Sequence, residues 1–269
     1  YVVGISYFDQ EMFVGERRDF GVADIAGVTE LQHDSIGIFA ELDYMITDRT
    51  KLTFGARWTE ENKEVIFNAI GSCEKDFSSC SGPSSGLFRS GTYDDTTPKF
   101  AITHALNDDV NIYASYTQGF RSGSFDARAR TIDSFLNSQP GPEEVTSIEL
   151  GLKSTLNDGR IMFNLAVFQA DYDDIQKLAL EDCVVDINTC PSGRIQRLIN
   201  AAEATIEGIE IETRINITDQ FSIQGSLGYT DAGFDEFLGF DADGVRGYDP
   251  VTDPIAAAAL KFERVPELT

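Results

Sequence analysis

The sequence predicts an all-β fold, a transmembrane antiparallel up-and-down β-barrel. Three observations support this class: long segments with alternating apolar and polar residues, short polar turns at nearly regular spacing, and long polar loops between those turns. The longest uninterrupted apolar run, residues 255–260, is far shorter than the ~20 residues that a membrane-spanning helix needs. If this chain crosses a bilayer, it therefore does so with strands that close into a sheet.

The strands are predicted from period-two alternation. In residues 35–47 one face of the predicted strand is apolar. Its members are Ile36, Ile38, Ala40, Leu42, Tyr44 and Ile46. Alternating segments of 12–18 residues exceed the ~5–6 residues typical of soluble strands and cover the ~9–11 that cross a bilayer. Length therefore favours a barrel over a soluble β-sandwich, which would bury the same apolar face against a second sheet.

The turns divide the chain into about nine to ten strands. Four short polar turns contain Asp48, Asp108, Asp158 and Asp219, which are spaced by 60, 50 and 61 residues. Long loops are predicted between them, at about 68–93, 121–141, 181–196 and 231–257. Short turns on one side and long loops on the other are typical of outer-membrane barrels, with the turns in the periplasm. Aromatic residues near the strand ends fit the interfacial girdles: Tyr44, Trp58, Tyr116, Phe168, Tyr172, Phe221 and Tyr229.

Composition and motifs exclude several classes of function. The formal net charge of −24 excludes nucleic acid as a partner, because an acidic chain does not accumulate on phosphate backbones. The two histidines, His33 before a strand and His104 beside a periplasmic turn, are predicted at opposite ends of the barrel. The sequence has no Gly-rich phosphate loop, no Gly-x-Ser-x-Gly and no HExxH motif. We therefore expect no enzyme activity, no catalytic residue and no cofactor.

The four cysteines form two pairs with the same spacing. Six residues separate Cys73 from Cys80, and six separate Cys183 from Cys190. Matching pairs in polar loops predict two local disulfides, Cys73–Cys80 and Cys183–Cys190, each worth about 2.5 kcal/mol of loop entropy. A metal site made of all four cysteines is the alternative. It is disfavoured because zinc sites use tighter cysteine spacing, and no metal site is predicted.

Four segments resemble the β-barrel of TonB-dependent outer-membrane receptors. Residues 111–125 contain Tyr-Ala-x-Tyr-x-x-Gly-Phe-x-x-Gly, and residues 142–154 contain Pro-Glu-x-x-x-x-x-Glu-Leu-Gly-x-Lys. Residues 164–174 and 200–212 follow in the order that these receptors show. Each match is weak alone, but four in order with the right turns between them are specific as a set.

The resemblance implies uptake of a scarce nutrient, most often a ferric siderophore, with energy delivered by TonB to a plug domain. It covers nearly the whole chain but only the middle and later part of such a barrel, which has 22 strands. Residues 1–269 are therefore expected to be a partial barrel domain in the outer membrane, without the plug domain and the final strands. Expected partners are outer-membrane lipid and lipopolysaccharide, TonB through the plug domain, and the ferric siderophore. A passive porin or structural barrel and a secreted β-sandwich adhesin are the alternatives.

Two arginine clusters are the candidate ligand-binding residues. The members are Phe120, Arg121, Arg128 and Arg130 in the first cluster and Arg194 and Arg197 in the second. Guanidinium groups bind carboxylate or phosphate-like oxygens of an anionic chelate in bidentate fashion. The alternative is that these arginines pair with loop acids or with lipopolysaccharide. The acidic loop 231–257 lacks the complete calcium-binding frame and is expected to be solvated.

Overall fold

A computed structural model describes residues 1–19, 24–70, 72–73, 80–81, 86–129, 132–182, 194–237, 262, 265–266 and 268–269. Within these ranges it describes only the backbone of residues 16–19, 24–27, 69–70, 72–73, 80–81, 180–182 and 194–195. None of the helices in this part of the chain has the length and hydropathy to cross a membrane.

Nine long antiparallel strands form one sheet in which each strand pairs with its neighbours along the chain. Their bounds are β1 Val2–Asp19, β2 Asp24–Thr47, β3 Thr50–Ile70, β6 Leu87–Ala105, β7 Val110–Arg121, β8 Glu143–Leu156, β9 Ile161–Asp182, β10 Arg194–Thr218 and β11 Phe221–Phe237. The two-residue strands β4 Ser72–Cys73 and β5 Cys80–Ser81 pair with each other, and a short helix, α1, spans Ile132–Asn137. Strands β1 and β11 form the edges, so the sheet is open over the described residues.

The predicted fold class and all four predicted turns are confirmed. The turns join β2 to β3, β6 to β7, β8 to β9 and β10 to β11. In the turn after β8, Asn157 and Asp158 have φ of 55° and Gly159 has φ of 83°. Asn, Asp and Gly adopt this left-handed region at the lowest cost, which is why that sequence reverses the chain in so few residues.

The apolar face of the sheet is exposed. The register places Leu150 of β8 opposite Val167 of β9, and Val167 opposite Ile209 of β10, so their side chains share one face. Leu42, Leu150 and Leu227 are 50%, 57% and 51% exposed, and no second sheet covers this face among the described residues. This arrangement suits contact with lipid and contradicts a β-sandwich, in which the same side chains would be buried.

Basic residues lie on the other face, which lines the lumen of a barrel. The register places the following residues on it: Lys51, Arg57, Lys63, Arg89, Lys99, Arg121, Lys153 and Arg214. Several pair with acids on other strands: Lys51 with Asp43 on the neighbouring strand β2 at 3.2 Å, and Lys99 with Glu41 across β3 at 2.8 Å. On the apolar face, a row of acids lies just beyond the lipid-facing residues: Asp9, Asp34, Glu60, Asp94, Asp171, Glu207 and Asp231.

Three of the four predicted loops were too long, whereas the loop predicted at 121–141 agrees with the end of β7 and the beginning of β8. Strand β3 continues to Ile70 and β6 begins at Leu87, so much of the loop predicted at 68–93 is strand. Strand β10 begins at Arg194, and β11 continues to Phe237, which places the first acids of the predicted loop 231–257 on a strand. His33 also lies within β2 rather than before a strand.

Two aromatic residues assigned to the girdle face the lumen instead. Phe168 pairs with Gly208, and a Cβ on Gly208 would lie 2.8 Å from the Phe168 ring. Tyr172 packs against an apolar cluster of Ile175, Ala204 and Phe237. The prediction was wrong because aromatic residues at strand ends occur on either face.

Beyond the membrane the two faces of β3 exchange their polarity. Between Leu52 and Trp58 the lipid-facing residues are apolar, but Glu60 and Glu64 occupy the same face further along. On the lumen-facing side, Val65 and Phe67 are completely buried. An apolar surface therefore faces inward at the extracellular end of the barrel wall, and another part of the chain covers it.

Candidate functional site

The connection between β7 and β8 folds inward across the lumen-facing side of the sheet. We call residues 122–142 the strap; its residues 130–131 lie outside the described part of the chain. Its two arms hydrogen-bond to each other, with the Ser124 N–H donating to the Pro140 carbonyl at 3.2 Å and the Asp126 N–H to the Ser138 carbonyl at 3.3 Å. The strap is thus an ordered structure with its own backbone pairing.

One end of the strap packs on the apolar surface of β3. The ring of Phe135 stacks on that of Phe67 with centroids 4.8 Å apart and an interplanar angle of 17°. Phe125 and Ala129 complete a buried cluster with Val65 and Phe67, and Leu87 and Leu136 pack against it. Burial of two phenylalanine rings from the strap contributes about 3–6 kcal/mol at the usual 1.5–3 kcal/mol per side chain.

The same end of the strap, around α1, is also bound to β10. Arg197 Nη2 donates to Asp133 Oδ2 at 2.8 Å, and the Ser134 hydroxyl donates to the Gln196 carbonyl at 2.9 Å. The Leu198 N–H donates to Ser138 Oγ at 3.1 Å. Strands β3 and β10 are separated by β6, β7, β8 and β9 in the sheet, so the strap spans six neighbouring strands.

Gln176 of β9 joins the two arms of the strap where they leave the sheet. The Gln176 Nε2 group donates to the Ser122 carbonyl at 2.9 Å and to the Gly141 carbonyl at 3.0 Å. Its Oε1 accepts from Ser124 Oγ at 3.0 Å, and the residue is only 6% exposed. Both donors and the acceptor of this buried amide are therefore satisfied by the strap.

Asn200 of β10 makes a second set of bonds at the same place. Its Nδ2 donates to the carbonyls of Gly141, Pro142 and Asp174, and its Oδ1 accepts from the Gly141 N–H at 2.7 Å. Register shifts in the β9–β10 ladder and the positive φ of Asp174, 55°, position these side chains. Bulges of this kind re-aim side chains at the rims of barrels.

A charged cluster fixes the beginning of the strap. Lys63 Nζ donates to Ser122 Oγ and to the Gly123 carbonyl, and Ser122 Oγ donates to Glu61 Oε2. His33 Nε2 lies 3.0 Å from the same carboxylate oxygen. Burial favours a raised pKa for Glu61, but the Ser122 hydrogen bond and the Lys63 and His33 charges outweigh it and hold the pKa below its ordinary value. Burial lowers the pKa of Lys63 despite the attraction of Glu61.

Gly123 has no room for a side chain. A Cβ there would lie 2.2 Å from the Tyr93 ring and 2.8 Å from the Pro140 carbonyl oxygen. Because both neighbours are themselves packed, we expect Gly123→Ala to displace this arm of the strap and to raise its amide hydrogen exchange at least tenfold. Gly225→Ala is the matched control, since a Cβ on Gly225 meets nothing within 4 Å. Equal exchange in the two variants would contradict this account.

The structure separates the residues of the first arginine cluster. Arg121 is on the lumen-facing side of β7, whereas Phe120 is on the opposite face, in register with Glu144. The Arg121 side chain is 66% exposed, and its Nη1 lies 3.8 Å from Glu143 Oε2. Arg128 is in the strap, where its N–H donates to Asp126 Oδ1 at 2.9 Å, and Arg130 lies outside the described residues.

The second arginine cluster is part of a strand. Arg194 begins β10, and its side chain lies outside the described part. Arg197 is bound to Asp133 and therefore fastens the strap. Sequence analysis missed this role because the two residues are 64 positions apart. Val65 and Phe67 alternate on the same face of β3 as Lys51 and Arg57. Two apolar residues on this otherwise basic, lumen-facing side were the sequence feature that could have indicated that another part of the chain packs there.

The backbone of one predicted disulfide is described. Cys73 and Cys80 are directly opposite each other in the β4–β5 ladder. Opposed residues of an antiparallel pair have Cα atoms about 4.5–5.5 Å apart, within the range that a disulfide spans. Cys183 and Cys190 lie outside the described residues. Both disulfides stay predictions.

Residues 3–268 match the family described as TonB dependent receptor-like, beta-barrel. The match covers almost the whole chain, and the order of the strands and turns agrees with it. The chain belongs to this family, whose members are transport receptors of the outer membrane.

Solved structures share the same wall architecture. The ferric yersiniabactin uptake receptor FyuA from Yersinia pestis superposes with a TM-score of 0.68 and 15% identity over 86% of this chain and 32% of that one. The siderophore receptor PiuA from Acinetobacter baumannii superposes with a TM-score of 0.62 and 15% identity, and the match covers 99% of this chain and 43% of that one. The copper transporter OprC superposes with a TM-score of 0.53 and 14% identity, and the match covers 86% of this chain and 38% of that one. The chain thus spans about a third to two fifths of these proteins, and the likeness is one of fold.

Proposed function

We propose that this chain forms part of the wall of an outer-membrane receptor that takes up an anionic ferric siderophore. The observation that carries the proposal is the position of Arg121. Its guanidinium is largely exposed on the lumen-facing side, at the root of the strap, and its only ion pair among the described residues is a long one, 3.8 Å from Nη1 to Glu143 Oε2. A guanidinium with free donors in a chain of net charge −24 is a local site for an anion.

The second candidate ligand is a copper ion, since OprC, a copper transporter, shares the fold. The charge of the site favours the chelate. Arg121 and Arg128 repel a free cation, whereas carboxylate, catecholate or hydroxamate oxygens of a ferric chelate accept their hydrogen bonds. Energy would come from TonB through a plug domain, as in other members of the family.

Alanine at Phe120, Arg121 and Arg128 together is expected to weaken binding of the ferric chelate at least tenfold in the intact receptor. Two charge-assisted hydrogen bonds of about 1.5–3 kcal/mol are lost. Binding is measured by titration of the purified receptor with the ferric siderophore that supports growth. Phe120→Ala alone is expected to change the affinity less than twofold, because Phe120 is on the opposite face of β7.

Arg160→Ala is the control for loss of charge. Arg160 is half-exposed in the periplasmic turn and lies 3.7 Å from Asp219, at the far end of the barrel. Unchanged affinity in the triple variant would refute the site.

Growth of a deletion strain on defined iron sources tests the function itself. Growth on every ferric chelate at the normal rate would refute siderophore uptake, and loss of copper accumulation would favour the second candidate.

A further inference from the structure

We infer that the strap is a fixed part of the barrel wall that narrows the lumen, and that it stays docked while the ligand passes. Extracellular loops of receptors are usually the mobile elements that close over a ligand. Most of the described residues of the strap, 122–129 and 132–142, are instead buried or half-buried, as in a protein interior. The inference rests on the proposed function only where it concerns passage of the ligand.

The first line of evidence is burial. Ser138, Phe135, Ala129 and Ser122 are 0%, 1%, 2% and 3% exposed, which is the burial of core residues. The apolar side chains stack on Phe67 and Val65 of β3. A lid that opens in each transport cycle would expose these rings to water, whereas loops that open are poor in buried apolar contacts.

The second line of evidence is the distribution of the anchors. Lys63 and Glu61 bind the first residues of the strap from β3, Gln176 binds both arms from β9, and Asn200 binds its last residues from β10. A strap that opened about a hinge would stay attached to the wall on one side only. Here each side is attached to a different part of the wall, so the strap cannot swing as a unit without breaking buried hydrogen bonds on both sides.

The strap therefore sets a permanent limit on the size of ligand. It crosses from β3 to β10 on the lumen-facing side, so the ligand passes beside it, between the strap and the part of the barrel beyond those strands. Closure over the ligand would have to come from other loops. Strap length and side-chain volume would then determine which chelates enter.

Amide hydrogen exchange of the intact receptor without ligand tests whether the strap is fixed. The backbone amides of Ser124, Asp126 and Leu198, which donate within or to the strap, are expected to exchange at least a hundredfold more slowly than the exposed amides of the turn at 157–159. Exchange at the rate of that turn would overturn the inference. This measurement needs no ligand, so its result is independent of the proposed function.

A reversible cross-link tests whether the strap stays docked during uptake. In Ser124→Cys/Gln176→Cys the thiols replace side chains that touch at 3.0 Å and can be bridged by a short, reducible bis-methanethiosulfonate. We expect the bridged receptor to import the ferric chelate within twofold of the wild-type rate. The controls are the same double variant before bridging, in which loss of the Gln176 amide has already weakened the docking, and Ser124→Cys alone, treated identically. A tenfold loss on bridging that is restored by reductant would overturn the inference. If the wild type itself imports no ferric chelate, the proposed function fails and the exchange result still decides on the strap.

Discussion

Replacing Gln176 with alanine is expected to release the strap from the wall without unfolding the barrel. The substitution leaves the Ser122 carbonyl and the Ser124 hydroxyl without their partner in a buried position, and it leaves the Gly141 carbonyl with Asn200 as its side-chain donor. Each unsatisfied buried group costs about 1–3 kcal/mol, and partial entry of water reduces the total, so we expect a net loss of about 2–3 kcal/mol. That loss corresponds to roughly 30- to 150-fold faster hydrogen exchange in residues 122–142.

The matched control for this variant is Gln169→Ala on the same strand. Gln169 is exposed, and in the part of the chain that the structure describes its side-chain amide bonds only to Asp171, at 2.9 Å and 3.2 Å. We expect no change in strap exchange in this variant, because water replaces those bonds. Exchange of the amides within the β9–β10 ladder serves as the internal reference. Equal protection of the strap in Gln176→Ala and the wild type would show that the buried amide does not hold it.

Replacing Leu165 with arginine is expected to destabilise the receptor in its membrane more than any substitution on the lumen-facing side. Leu165 lies between Leu152 of β8 and Ile211 of β10, near the middle of the lipid-facing apolar residues. An arginine at the midplane of a bilayer costs about 2–4 kcal/mol in a transmembrane β-barrel. The midpoint of urea unfolding of the intact receptor in lipid vesicles measures the loss.

Asn164→Arg is the matched control one residue away on the opposite face. Asn164 Nδ2 lies 3.4 Å from Glu212 Oε2, so an arginine there meets water and a carboxylate. We expect a change of less than about 0.5 kcal/mol, as for an ordinary exposed substitution. If both variants unfold at the same urea concentration, the assignment of the two faces is wrong. If only Leu165→Arg is destabilised, the exposed apolar face is in lipid.

Much of the fold was predictable because it depends on local patterns. Alternation with a period of two assigned the lipid-facing side of residues 35–47, and the polar turns with Asp48, Asp108, Asp158 and Asp219 set the connectivity. The loop boundaries were wrong for a physical reason. Beyond the membrane the outward side chains become polar and the inward ones apolar, as in residues 60–67 of β3, so a search for the membrane pattern ends the strand too early.

The candidate site was only partly predictable, because its contacts join residues that are far apart in sequence. Arg121 and Arg128 stood out as basic residues in an acidic chain. The same criterion selected Arg197, whose partner Asp133 belongs to the strap. No local pattern links Lys63 to Gly123 or Gln176 to Ser122, since 60 and 54 positions separate them.

The sequence by itself determined the all-β architecture, the direction of each strand and the family of receptors, because hydropathy alternation and turn residues act over a few positions. Only the tertiary structure decided what covers the inward apolar surface of β3 and what Gln176, Asn200 and Arg197 bind. Those interactions arise when strands β3 to β10 are assembled side by side. They make the described residues of the strap, which the sequence predicts only as a long loop, part of the barrel wall.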